Sequence, residues 1–261
     1  CCNDAEAMKD LLANNENGDP NFEVRKKCNV KTKAELRQLV EQCFSGDAEA
    51  ALFYYSGHGH IDAVGGYLVT PDYTEYDYGV SLQDVLTIAN HSKCKERIIV
   101  LDSCNSGFMG NISTSGQNTA VINEGVTILT ASRADESAVE TGGHGLFTSL
   151  LIEALSGGAA DITGHITIGG VYAFIDKALG SWGQRPVFKT NVTKFTSLRQ
   201  VQPQVDKRII RKLCEYFQDE DDRFMLNPSF EPTNTVDVEH KVVEPYASAK
   251  NTAIFSDLQK L

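Results

Sequence analysis

Two segments constrain this chain more than anything else in it: Phe53-Tyr54-Tyr55-Ser56-Gly57-His58-Gly59 and Ile98-Ile99-Val100-Leu101-Asp102-Ser103-Cys104-Asn105-Ser106-Gly107. Each is an apolar run of strand length that stops abruptly at small polar residues and delivers one reactive side chain. The runs, Ala50 to Tyr55 and Arg97 to Leu101, lack the alternation of a half-exposed strand. They read as strands buried on both faces, as in a parallel sheet covered by helices. Ligands of such sheets bind at the carboxyl ends of the strands. His58 and Cys104 are therefore expected side by side at one sheet edge. A thiol beside an imidazole is the minimal apparatus for nucleophilic attack on a carbonyl.

The rest of the sequence supplies the layers. Residues 3–14 read as a helix capped by Asn3 or Asp4, and Phe22 to Lys26 as a short strand. Thr32-Lys33-Ala34-Glu35 has the pattern of a capping box and opens a helix with Leu36, Leu39, Val40 and Cys43 on one face. A small hairpin is expected around Tyr67 to Val69, and a helix from Ser81 to Ala89. Residues 105–124, rich in Gly, Ser, Asn and Thr, read as a loop, and Val126 to Ala131 as a third buried strand. Helices follow at Leu146 to Leu155 and Ile168 to Leu179, and Pro186 to Lys189 forms a last strand, where proline suits a strand start or an edge. Strands alternating with helices imply an α/β fold with a mostly parallel sheet flanked by helices.

The character changes near residue 200. Val205 to Phe217 reads as a helix, 218–222 is acidic, and 227–235 holds two prolines. The expected organisation is a domain over 1–200 and a small C-terminal extension over 201–261. A mobile linker is expected near 218–240.

A net charge of −11 argues against binding a nucleic-acid backbone. No apolar run approaches the length needed to span a bilayer, and no basic-then-apolar leader opens the sequence. The 7 cysteines form no paired C-x-x-C units, which gives neither a zinc site nor a disulfide framework and fits a reducing, cytoplasmic setting. Cys2, Cys28, Cys43, Cys94 and Cys214 read as small apolar packing residues, and His60 and His144 as loop residues. The sequence starts at Cys1 rather than Met, and reads as a segment of a longer protein at both ends.

His58 precedes Cys104 by 46 residues. Ser-Gly-His-Gly after one strand and Asp-Ser-Cys-x-Ser-Gly after another resemble the catalytic motifs of the caspase-like cysteine peptidases, in particular the metacaspase and bacterial caspase-like (orthocaspase-type) branch. Caspases proper carry Gln-Ala-Cys-Arg-Gly at the second motif. Residues 131–140, Gly145-Leu146-Phe147-Thr148 and Gln184-Arg185-Pro186-Val187-Phe188 resemble later segments of the same family. The family's first core strand is expected just before Cys1, and Asn105 stands where many metacaspases have His.

The resemblance implies a cysteine endopeptidase. Cys104 is the expected nucleophile, His58 the base and then the acid for the leaving amine, and the backbone N–H groups of Gly59 and Cys104 the oxyanion donors. It also implies a pocket for the residue before the cut, built from Asp102, Asp4, Ser56 and Cys1, with Asp135 at a further acidic position. Two carboxylates there favour an arginine or lysine side chain. The alternative readings are a helix cap for Asp4, a turn acceptor for Asp102 and a plain surface residue for Asp135. No cofactor is expected. Calcium needs six to eight oxygens, whereas Gly79-Val80-Ser81-Leu82 and Asn111 replace family carboxylates, and Asp72, Glu75 and Asp77 read as a solvated loop. The expected partners are peptides or proteins with a basic residue at the cut, together with regulatory domains of the full-length protein. The alternative is a caspase-like signalling module with weak or gated proteolysis.

Overall fold

A computed structural model describes residues 2–103, 112–114, 117–119, 122–131, 140–141, 144–180, 185–230 and 247–261. Its elements in chain order are α1 (Cys2–Ala13), α2 (Lys33–Cys43), β1 (Ala50–Ser56), β2 (Gly59–Ile61), β3 (Gly66–Thr74), β4 (Asp77–Ser81), α3 (Leu82–His91) and β5 (Glu96–Asp102). Then follow β6 (Ile112–Thr114), β7 (Gln117–Thr119), β8 (Val126–Thr130), β9 (Glu140–Thr141), β10 (His144–Gly145), α4 (Leu146–Glu153), β11 (His165–Thr167), α5 (Ile168–Leu179), β12 (Val187–Asn191), β13 (Ser197–Gln200), α6 (Lys207–Tyr216) and α7 (Ala249–Leu258). The chain divides into two compact units, residues 1–202 and 203–261.

The central sheet of the first unit has the order β1-β5-β8-β12. β1, β5 and β8 are parallel and β12 closes the edge antiparallel to β8. β5 is buried at every position, as its unbroken apolar run requires. Its residues alternate between two cores. Ile99 and Leu101, with Ala51 and Phe53 of β1, pack against Leu36 and Val40 of α2 and Val85, Leu86 and Ala89 of α3. Ile98 and Val100 face the other side, with Met8 and Leu12 of α1, Leu151 of α4 and Val171 and Ile175 of α5. Truncation of Ile99 to Ala at the sheet centre is expected to cost about 3 kcal/mol of stability. Urea unfolding measures it, and a loss below about 1 kcal/mol would mean the site collapses around the void.

Several expectations are corrected. β1 is not sealed on both faces: Ala51 and Phe53 are buried while the other positions are half-exposed, because β1 is the edge strand of the described sheet. Phe22 to Lys26 forms no ladder, since no described strand lies beside it; Phe22 and Val24 still pack on the core. The capping box forms only in its forward half. Thr32 accepts the Glu35 N–H, but the Glu35 carboxylate reaches past the cap to the Lys31 N–H at 3.0 Å. Within 105–124 the described residues include an antiparallel hairpin, β6–β7, not loop alone. The β11–β13 pair was not anticipated, because three- and four-residue strands carry too little pattern. His60 lies in β2 with its ring 4.1 Å from that of Tyr78, and the backbone of His144 pairs in β10. Cys2 and Cys214 are exposed rather than packed.

In the second unit, Lys212 and Tyr216 of α6 bond Asp257 of α7 at 2.6 and 3.0 Å. Phe224 stacks edge-on to Tyr216, Phe217 and Phe230. Phe230 is buried, so the stretch expected as a mobile linker is anchored at Phe224 and Phe230, while Met225 and Leu226 between them stay exposed. Residues 231–246 of that linker lie outside the described residues. Among the described residues no helix is long and apolar enough to cross a membrane.

Candidate active site

The parallel register of β1 and β5 sets the site. Ser56 lies opposite Asp102, so the two strands leave the sheet at the same level. Beyond Ser56 the chain turns through Gly57 to His58, and the Gly57 N–H donates to the Asp102 carbonyl at 3.2 Å. Tyr55 folds back over this turn, with its hydroxyl donating to the carbonyls of His58 and Val69 at 3.1 and 3.2 Å. A side chain at residue 57 would put its Cβ 2.5 Å from the Tyr55 hydroxyl, so only glycine leaves Tyr55 in this position. Burial pushes the Tyr55 phenol up to about 12, which keeps it a donor at any physiological pH.

His58 is exposed at the mouth of this edge. Its carbonyl accepts the Val69 N–H at 2.9 Å, and Gly59 pairs with Leu68. That makes Gly59 a non-hydrogen-bonded position of the β2–β3 ladder, whose own N–H faces away from β3. On the neighbouring strand Asp102 leads through buried Ser103 to Cys104. Cys104 itself, with Cys1 and Asp135, lies outside the described residues.

Beneath this edge is a buried acidic cluster. Asp4 and Asp102 are 2% and 8% exposed. Asp4 is not the cap of α1 but sits inside its first turn, where the helix dipole favours a negative charge. Its Oδ2 accepts the Ser56 hydroxyl at 2.8 Å. So α1 and the end of β1, far apart in sequence, meet at this point, and Asp4, Ser56 and Asp102 lie close together beneath the sheet edge.

Two residues of the cluster were missed by sequence reasoning. Thr148 is fully buried, and its hydroxyl donates to Asp102 Oδ2 at 2.5 Å. The Thr148 oxygen lies 2.7 Å from the Tyr54 hydroxyl, which therefore donates to it. Burial raises the Tyr54 phenol well above its usual range, so the proton stays on Tyr54. The available signal was the Gly145-Leu-Phe-Thr148 helix start, but nothing in it names Asp102 as the partner. Burial, first of all, pushes the Asp102 carboxyl above the usual carboxylate range. The Thr148 hydroxyl pulls it back, and the charge of Asp4 pushes it further up.

A helix-flanked, mostly parallel sheet with an imidazole at the end of one strand, beside the strand that runs into Ser103 and Cys104, is the architecture of caspase-type cysteine peptidases. The comparisons agree. The family model for the caspase domain matches residues 1–195, and the chain belongs to that family. It is accordingly a cysteine-type peptidase in the general sense. Among solved structures the chain is similar to caspase-1 from Spodoptera frugiperda. The two share 16% sequence identity over 76% of this chain and 81% of that one, with a TM-score of 0.53. That likeness is one of fold. A search of curated proteins finds no sequence match.

Proposed function

We propose that this chain is a cysteine endopeptidase of the metacaspase and orthocaspase type that cuts peptide bonds after arginine or lysine. The observation that carries the specificity is the buried pair of carboxylates, Asp4 and Asp102, under the strand ends that bear His58 and lead to Cys104. An arginine guanidinium satisfies such a pair with forked, charge-assisted hydrogen bonds, whereas an aspartate side chain meets like charge.

In this reading His58 removes the Cys104 proton as sulfur attacks the carbonyl, and returns it to the leaving amine. The Gly59 N–H, directed away from β3, and that of Cys104 receive the oxyanion. Water then hydrolyses the thioester, with His58 again as base. Cys1 and Asp135 belong to the pocket by resemblance alone. The reading includes no calcium: the Asp72 carboxylate takes the Lys33 backbone N–H at 3.1 Å and Asp77 the Lys33 ammonium at 2.7 Å, so both are already engaged. The substrates are peptides or proteins, with no nucleic-acid or membrane partner.

Fluorogenic peptides ending in Arg, Lys, Asp or Asn, assayed with the wild type and Cys104→Ala and with or without a chelator, test this directly. Cleavage after Asp in preference to Arg would overturn it. The same reading predicts where the enzyme cuts itself. Residues 105–132 contain no Lys or Arg. Lys207, Arg208, Arg211 and Lys212 lie beside the domain boundary and are the targets expected from sequence, but they belong to α6, and a protease needs extended backbone. Exposed Arg25 and Arg223 instead lie in the stretches 22–28 and 222–227, which belong to no helix or strand. Cys104-dependent cuts are therefore expected after Arg25 or Arg223, with α6 intact. Mass spectrometry that finds a Cys104-dependent cut inside 105–132 or inside α6 would contradict this.

A further inference from the structure

The Asp102 carboxylate does two jobs that compete. In the proposed pocket it must stay ionised and aimed at the substrate, yet burial and the neighbouring Asp4 both favour its neutral form. What opposes them is the start of α4. The helix is capped by Gly145, which has no side chain to satisfy the free N–H groups of the first turn. Asp102 fills that role from another strand, accepting the backbone N–H and the hydroxyl of Thr148. Gly145 is what permits the approach, since a Cβ there would lie 2.8 Å from Asp102 Oδ2.

The hydroxyl is itself held. Tyr54 donates to Thr148 Oγ1 from β1, so the Thr148 proton is left pointing at the carboxylate. Tyr54, Thr148 and Asp102 form a one-way relay of donors in a buried setting, where each bond polarises the next.

We propose that Thr148, backed by Tyr54, is a positioning residue of the specificity pocket: its hydroxyl holds the Asp102 carboxylate charged and aimed for a basic side chain of the substrate. This rests on the reading of Asp102 as part of a basic-specific pocket. Thr148 does not touch the substrate and acts only through Asp102. Among the described residues Asp102 is faced by Asp4 from α1, Thr148 and Gly145 from the start of α4, and Tyr54 from β1, which stays neutral; the positive charge of the amino terminus also acts on it, favouring the charged form.

The test uses the full chain and the variants Thr148→Val, Thr148→Ser and Tyr54→Phe. Valine keeps the shape and removes the donor. With the arginine peptide, KM of Thr148→Val is expected to rise on the order of tenfold with kcat nearly unchanged, the loss of one hydrogen bond to a charged group. Carbon NMR of the Asp102 carboxyl should show its titration moving to higher pH by about one pH unit, and the acidic limb of kcat/KM should move with it. Thr148→Ser restores both, and Tyr54→Phe gives a smaller change in the same direction. A purely structural cap would lower the melting temperature and leave the titration in place. Unmoved titration and KM in folded Thr148→Val overturn the inference; if that variant does not fold, Tyr54→Phe decides in the same way. Asp102→Asn separates the two claims. If it abolishes arginine preference while Thr148→Val changes nothing, the inference fails and the pocket stands. If Asp102→Asn keeps arginine preference, the pocket reading itself fails.

Discussion

Replacement of Cys104 by Ala is expected to reduce peptide hydrolysis on the order of 10⁴-fold or more, with the fold intact, because no other group in the proposed mechanism can form the thioester. His58→Ala should have a loss of similar size. The two losses are not additive, since an imidazole without its thiol, or the reverse, does nothing useful. His58 is exposed and its removal leaves no core cavity, so the melting temperature should hardly move. Single-turnover kinetics and a thermal scan of both variants measure this. Residual turnover above about one-hundredth of wild type in Cys104→Ala would mean that another nucleophile does the chemistry.

The second large effect falls on Asp102. Asp102→Asn should lower kcat/KM for an arginine peptide by about 10²–10³-fold, the typical result of removing one partner of a buried, hydrogen-bonded charge pair. Its pH dependence has two opposite signs. Binding a cation needs ionised Asp102, so activity should fall as pH drops through the raised carboxyl pKa, and that acidic limb should vanish in Asp102→Asn. Stability runs the other way. A carboxyl raised in the folded state contributes stability that is fully present below its unfolded pKa. That contribution is lost as pH rises through the folded value. Above that folded value the charged Asp102 is a burden on the fold, and there Asp102→Asn should melt no lower than wild type. Melting temperatures at pH 4 and pH 7, beside pH–rate profiles, check both signs. A variant that melts much lower at neutral pH and keeps its arginine preference would make Asp102 a structural acceptor only.

The legible parts of this chain are those where local pattern and burial agree. The central strands β5 and β8 are built around apolar runs and buried at every position because helices cover both faces, and their bounds follow the sequence within a residue or so. Helices α3 and α5 lie where the sequence places them, and the structure adds their caps: the hydroxyls of Ser81 and Thr167 accept the Asp84 and Gly170 N–H groups. The illegible parts are those whose state depends on a distant partner. Phe22 to Lys26 has strand composition and no ladder, since a strand needs a neighbour that its own residues cannot supply. Ser197 to Gln200 has little strand pattern and pairs anyway, because His165 to Thr167 lies opposite.

The same division runs through the site. His58, Gly59 and the approach to Cys104 are readable from sequence, because a strand that ends in glycine and one reactive side chain encodes its own geometry. Asp102 is placed by period two along a strand. What tertiary structure alone decides is the company these groups keep. Asp4, readable as a helix cap, becomes a buried carboxylate when α1 packs under β1 and Ser56 reaches it. Thr148 and Tyr54, 94 residues apart in sequence, become one relay to Asp102 only when α4 starts against the end of β5. Local pattern records which backbone a residue prefers. The charge state of a buried carboxylate depends instead on every dipole and charge within a few ångströms, and those come from all over the chain.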